Sequence, residues 1–207
     1  MTFTQKIVLT ITVAATAVTM ATSITATAAQ SNWFVSASVG QSSAKAEKPN
    51  VAEVDTVSWD DSDTSYSFGG GYHYADFDLI LSYEQLGETS ASYTADVIDS
   101  ELFHQALVNS GPQLVDGISI QSRYTLWQNK ALNVKVGVGL LAWELDYTSK
   151  LNKSIIEVNE NDTDLFYNLQ VSYKLTKHIE VNLQATRYAL SINDVDNIGI
   201  GLTYHFK

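Results

Sequence analysis

Glu84, Arg123, Lys135 and Glu180 are charged residues set within segments that otherwise alternate apolar and polar. Two acids and two bases on one face could pair into a plug or line a path for small ions. A second group is the acidic set Glu47, Glu53, Asp55, Asp60, Asp61 and Asp63, continued by Asp96, Asp99, Glu157, Glu160, Asp162, Asp194 and Asp196. Hard cations such as calcium take oxygen ligands of this kind. An ordered calcium loop needs a position-specific glycine and a terminal glutamate, and none is present. These segments are therefore expected to be solvated and mutually repelling, with no metal site and no cofactor. A third group is His104 with Ser100, Ser110, Asp99 and Glu101 nearby, the residue types of nucleophilic catalysis. One histidine among serines defines no relay, so no catalytic residue is assigned and the protein is not expected to be an enzyme.

The elements that position these groups are strands. Side chains alternate between faces along a strand, so the apolar set marks one face. Trp33, Val35, Ala37 and Val39 form the first such set, and Tyr66, Phe68, Tyr72 and Tyr74 the second. Phe77, Leu79, Leu81 and Tyr83 alternate with Asp78, Ser82 and Glu84; Ile118, Ile120, Tyr124 and Leu126 alternate with Ser119, Gln121 and Arg123. Val134, Val136, Val138 and Leu140 face away from Asn133, Lys135, Gly137 and Gly139. Leu165 to Tyr173, Ile179 to Ala185 and Ile198 to Phe206 complete eight alternating segments. Pro49 and Pro112 both fall outside them, as paired strands require. The parity breaks once, where Leu140 gives way to Leu141, Trp143, Leu145 and Tyr147. A one-residue slip exchanges the faces, so a β-bulge near Leu140 is expected, or a strand running beyond the membrane.

The two faces differ in a way that no water-soluble barrel tolerates. One is nearly uncharged and ends in Trp33, Tyr74, Phe77, Trp127, Tyr173 and Phe206, a girdle suited to a headgroup boundary. The other carries Asp78, Glu84, Arg123, Lys135, Lys174 and Glu180, which a polar lumen would hold and a soluble core would not. Tight turns at Ala75-Asp76, Gln128 to Lys130 and Thr176-Lys177 alternate with long connections at Ser43 to Ser62, Glu88 to Gln113 and Thr148 to Thr163. Short turns at one end and long loops at the other match an outer-membrane barrel with both termini in the periplasm. Asp99 to Gly111 reads as a short helix inside the second long loop, ended by Gly111-Pro112.

The N-terminus agrees. Lys6 precedes the apolar run Ile7 to Met20, and Ala26-Thr27-Ala28 fits a cleavage site before Ala29 or just after it. Residues 1–29 are read as a signal peptide and 30–207 as the barrel domain. The run is shorter than the roughly 20 residues of a transmembrane helix. There are no cysteines, which removes disulfides and thiolate metal sites. A formal charge of -11 argues against nucleic acid, whose phosphates call for a basic patch.

Phe68-Gly-Gly-Gly-Tyr72 followed by Phe77 to Tyr83, then Val136-Gly-Val-Gly139 and Tyr173 to His178, resemble the small eight-stranded outer-membrane barrels. These are the porin-like proteins related to the membrane domain of outer-membrane protein A, and the resemblance runs from about Ser31 onward. It implies an all-β, eight-stranded antiparallel up-and-down transmembrane β-barrel in the outer membrane of a Gram-negative cell. The ending Gly201-x-x-Tyr204-x-Phe206 is similar to the signal read by the barrel assembly machinery. Gly199 departs from it where a polar residue is favoured, as does Lys207 after the terminal aromatic. The full family carries a peptidoglycan-binding domain after the barrel, and no such segment follows Lys207 here, so that anchoring role is not carried over. Some eight-stranded barrels deacylate or acylate lipid A, but the deacylase pattern His-x-Ser is absent after His73, His104 and His178.

An eight-stranded barrel is just wide enough for side chains to fill it. Glu84, Arg123, Lys135 and Glu180 are thus expected to pair as an interior plug, because an unpaired buried charge costs several kcal/mol. The expected role is structural or surface-interactive through four extracellular loops. Outer-membrane lipid, lipopolysaccharide with its bridging divalent cations, and an extracellular ligand or surface are the expected partners, with the assembly machinery during biogenesis. The alternative is a narrow pore for ions or small solutes, and a lipid-modifying enzyme is the more distant one.

Overall fold

A computed structural model describes residues 32–45, 54–95, 112–151 and 154–206. The expected signal peptide (1–29), the helix expected from Asp99 to Gly111 and the His104 group lie outside the described residues. Ten strands follow in order: β1 (Trp33–Ala44), β2 (Val54–Asp60), β3 (Ser62–Tyr74), β4 (Phe77–Gln85), β5 (Ser90–Ala95), β6 (Asp116–Gln128), β7 (Leu132–Leu151), β8 (Ser154–Lys174), β9 (Ile179–Ala189) and β10 (Asp194–His205). Eight close into an antiparallel barrel in the order β1-β10-β9-β8-β7-β6-β4-β3, which is up-and-down connectivity. β2 and β5 pair separately as a two-stranded ribbon within the first two long connections.

Closure follows from the environment. In hydrocarbon every backbone N–H and C=O needs an internal partner, and a closed barrel leaves no edge unpaired. The apolar face points outward: Leu79, Leu81, Ile118, Leu183 and Ile198 are each more than half exposed on the outer wall. Inward positions are polar, with Asn168, Gln170, Ser172, Glu180 and Asn182 all buried.

The change of parity at Leu141 has the second of its two expected causes, a strand that runs on, and not a bulge. No register shift occurs at Leu140, because Leu140 pairs with Ile120 and Leu165 and Leu141 with Ser119 and Asp164 in unbroken sequence. The strand simply runs on, and Leu141, Trp143 and Leu145 turn into the lumen. The register shift lies instead between Thr125 and Trp127, at the other end of the barrel. There Leu126 and Trp127 both face outward, 58% and 51% exposed.

The described residues of the connection expected from Thr148 to Thr163 are strand. β7 and β8 pair from Leu132–Tyr173 to Leu151–Ser154. β6 accompanies β7 only as far as Glu144, and β9 accompanies β8 only from Leu165. The hairpin therefore rises beyond the barrel wall as a free ribbon.

The apolar core sits inside the long-loop end. Leu141, Trp143, Leu145, Phe166, Tyr188, Leu190 and Val195 form one buried cluster with Ala44, Leu86, Leu114 and Val115. The segment 112–115 is buried beneath this end, tied by Leu86 N to Val115 O (3.1 Å) and by Asn193 Nδ2 to Gln113 O (3.2 Å). The inner face is thus polar only over its lower part and becomes an apolar cap at the outer mouth.

Candidate functional site

The lumen below this cap holds the charges, layered along its axis. Nearest the short turns, Lys135 on β7 places Nζ 2.7 Å from Asp78 Oδ2 on β4. His73 on β3 reaches the other oxygen of Asp78 through Nδ1 at 2.6 Å. On the opposite wall, Glu180 on β9 accepts from Asn133 Nδ2 at 3.3 Å and lies 3.8 Å from His205 Nε2. Arg123 on β6 pairs across strands with Asp78 and Gly137. Its guanidinium donates to Gln121 Oε1 at 3.0 Å and to Gln170 Oε1. Higher up, Glu84 Oε1 accepts from Ser82 Oγ at 2.8 Å and Ser119 Oγ at 2.9 Å.

All four residues singled out from sequence point into the lumen and are less than a tenth exposed. No direct hydrogen bond or salt bridge joins two of them, while Glu84 lies within electrostatic reach of Arg123 and Glu180 within that of Lys135. Lys135 takes Asp78 as its direct partner, Arg123 takes two glutamine carbonyls, Glu84 two serine hydroxyls and the Tyr188 hydroxyl, and Glu180 an asparagine, a serine and a histidine. Asp78, His73 and His205 complete the layer and were not included in the four. Their signal was present in the alternation, since Asp78 and His73 occupy polar-face positions of the same strands.

Glycines make this filling possible. A Cβ on Gly137 would lie 2.9 Å from Arg123 Cγ, and one on Gly139 would lie 2.4 Å from the Phe166 ring. The space each lacks in side chain is taken by the bulky neighbour across the ladder. A cavity of about 20 Å³ lies among Ser38, Glu84, Arg123, Asn168 and Gln184. That volume suits about one water molecule. Asn168 Oδ1, on this wall, is buried without a protein partner.

Of the assembly-signal residues, Gly201 faces inward, where a Cβ would meet the Asn182 amide at 2.7 Å. Tyr204 faces outward and stacks on His178 with ring centroids 5.9 Å apart; it meets Phe206 edge-on at 5.2 Å. Phe206 N donates to Trp33 O at 3.0 Å, so the chain's end is stitched to its first strand.

Several acids of the long-loop end have structural partners. Asp164 accepts from Trp143 Nε1 (2.9 Å) and from Ser191 N (2.7 Å), and Asp63 Oδ2 from Glu88 N (2.8 Å). Arg187 is salt-bridged to Asp194 and Asp196, and Lys45 to Asp196 at 3.5 Å. Among the described residues no group of three or more His, Cys, Asp or Glu is arranged to hold a metal ion.

Residues 12–206 match the family model described as the outer membrane protein beta-barrel domain. No curated protein matches the chain. Among solved structures, Neisserial surface protein A is similar at a TM-score of 0.55 with 14% identity, covering 85% of this chain and 98% of that one. The N-terminal β-barrel domain of Pseudomonas aeruginosa OprF gives a TM-score of 0.50 with 16% identity, covering 85% and 98%. At such identities the likeness is one of fold, which agrees with the closed eight-stranded barrel. The lipid-facing outer wall, the polar lumen and the family match lead to one statement: this chain belongs to the outer membrane protein beta-barrel domain family and resides in the outer membrane of the Gram-negative envelope.

Proposed function

We propose that this barrel is a closed, non-enzymatic scaffold that presents an acidic surface outside the cell. The observation that carries the reading is the filled lumen, with a layer of partnered charges beneath an apolar cap made by Leu141, Trp143, Phe166, Tyr188 and Val195. A lumen filled this way stiffens the wall and offers solutes no route. The β7–β8 ribbon, which outruns its barrel neighbours, and the β2–β5 ribbon are then the working parts. Exposed Glu144, Asp146 and Asp162 give the outer end its sign. Its partners on this reading are lipopolysaccharide with bridging divalent cations and an extracellular ligand or surface. The barrel assembly machinery reads Gly201, Tyr204 and Phe206 during biogenesis.

The cavity beside Glu84 and Arg123 favours a second reading, a narrow pore for ions or small solutes. Planar-bilayer recordings separate the two. The scaffold is silent, and Arg123→Ala lowers its stability without opening it. If Arg123→Ala opened conductance with stability unchanged, the charged layer would be a gate. Unchanged lipid A masses on expression are expected, and a mass shift would make the protein an enzyme.

A further inference from the structure

The acids of this protein gather at the long-loop end, whereas three lysines gather at the other. The turn at 129–131 lies directly beside the turn at 175–178, because Leu132 pairs with Tyr173 and Lys174 N donates to Ala131 O at 2.8 Å. Lys130 and Lys177, on the tips of these turns, are therefore neighbours on one arc of the rim, both exposed, whereas Lys174 lies opposite inward Glu180 and belongs to the mouth of the lumen. None of them takes part in an ion pair among the described residues. The single exposed carboxylate on the described short turns is Asp76, on the β3–β4 turn.

A second feature marks the same arc. The register shift after Thr125 turns Leu126 and Trp127 outward together, adding one apolar side chain to the lipid-facing wall. Bulges characteristically re-aim side chains at barrel rims. Tyr173 and Leu175, 49% and 56% exposed, flank Lys174 in sequence. Aromatic rings at this level sit at the headgroup boundary, and lysine stems lie along apolar surface while the ammonium reaches polar surroundings.

We propose that this arc, with Lys130 and Lys177 at the end of a wall made by Leu126, Trp127, Tyr173 and Leu175, is a docking surface for anionic phospholipid headgroups of the periplasmic leaflet. It rests on the short turns facing the periplasm. The lysines contact the lipid phosphate and glycerol headgroup while the aromatic and leucine side chains pack on the upper acyl chains. The arc gives the barrel a preferred lipid on one side.

The test is native mass spectrometry of the full-length folded protein released from detergent after titration with phosphatidylglycerol or phosphatidylethanolamine. Phosphatidylglycerol adducts are expected to be retained in preference, by about fivefold for each lysine engaged. The K130Q/K177Q variant loses the preference and the corresponding double arginine variant keeps it. Equal retention of the two lipids, or a preference that survives the glutamine variant, overturns the proposal. So does tighter binding of soluble polyglutamate than of phosphatidylglycerol, which would make the arc a surface for an acidic protein. A heated-versus-unheated gel of the same sample reports on the barrel itself. No shift there would remove the fold on which the docking surface depends.

Discussion

Lys135 and Asp78 come from strands separated by β6, yet they meet at 2.7 Å inside the barrel, with both side chains less than a tenth exposed. Removing one partner strands the other charge, at a cost of about 3–5 kcal/mol. Lys135→Met is therefore expected to lower the midpoint of urea unfolding in lipid vesicles sharply. Asp78→Asn combined with Lys135→Met recovers most of that loss. An uncharged pair that remained as unstable as Lys135→Met alone would show that the contact does not carry the effect.

Gly139 and Phe166 share one space across β7 and β8, with only 2.4 Å between a Cβ at residue 139 and the ring. Gly139→Ala forces the ring aside and is expected to cost about 1–3 kcal/mol, the usual penalty of overpacking. Adding Phe166→Leu relieves the ring clash but not the 2.6 Å approach to Ile120 O, so a partial recovery is expected. Unfolding free energies of the single and double variants check this, and no recovery in the double variant would contradict the packing account.

The outer wall gives an independent test of the solvent it faces. Leu169 on β8 is outward and 48% exposed. On a soluble barrel, arginine at such a site is nearly neutral. Near the bilayer midplane it costs about 2–4 kcal/mol. Leu169→Arg is expected to show that loss in vesicle refolding, and an unchanged stability would be incompatible with lipid contact there.

Ala75 opens the β3–β4 turn at φ 53, the left-handed region. A residue with a Cβ is disfavoured there by about 1–2 kcal/mol relative to glycine. Ala75→Gly is expected to raise stability by about 1 kcal/mol, after the unfolded-state entropy of glycine is set against the relief. A thermal or urea melt that moved downward would mean that the turn relaxes in the lipid-bound protein.

Trp143 Nε1 donates to Asp164 at 2.9 Å, and Ser191 N binds the same carboxylate at 2.7 Å. This joins β7, β8 and the β9–β10 connection across the outer mouth. Trp143→Phe keeps most of the buried ring and loses the hydrogen bond, with an expected cost of about 1 kcal/mol. Hydrogen exchange at Ser191 should quicken in the variant, and unchanged exchange would dissociate the bond from closure of the mouth.

Alternation alone determined the eight barrel strands, which face of each meets lipid, and that Glu84, Arg123, Lys135 and Glu180 point inward. Period-two patterning is a local property, and a two-solvent wall imposes it on every strand. Partner choice was not local. Lys135 could have met any inward acid, and barrel curvature and stagger brought it to Asp78 while leaving Arg123 with Gln121 and Gln170. The change of parity at Leu141 was visible in the residues but its meaning was not. A bulge and a lumen that turns apolar leave the same trace in a single strand, and only the unbroken pairing of β7 with β6 and β8 distinguishes them. The β2–β5 ribbon and the stretch of β8 that pairs with the β7 continuation were hidden for a related reason, whereas Leu145 and Tyr147 around Asp146 marked β7 as running on. Above the membrane no lipid imposes a continuous apolar face, so the alternation in those strands is short and weak, and cross-strand hydrogen bonding in the folded chain defines them.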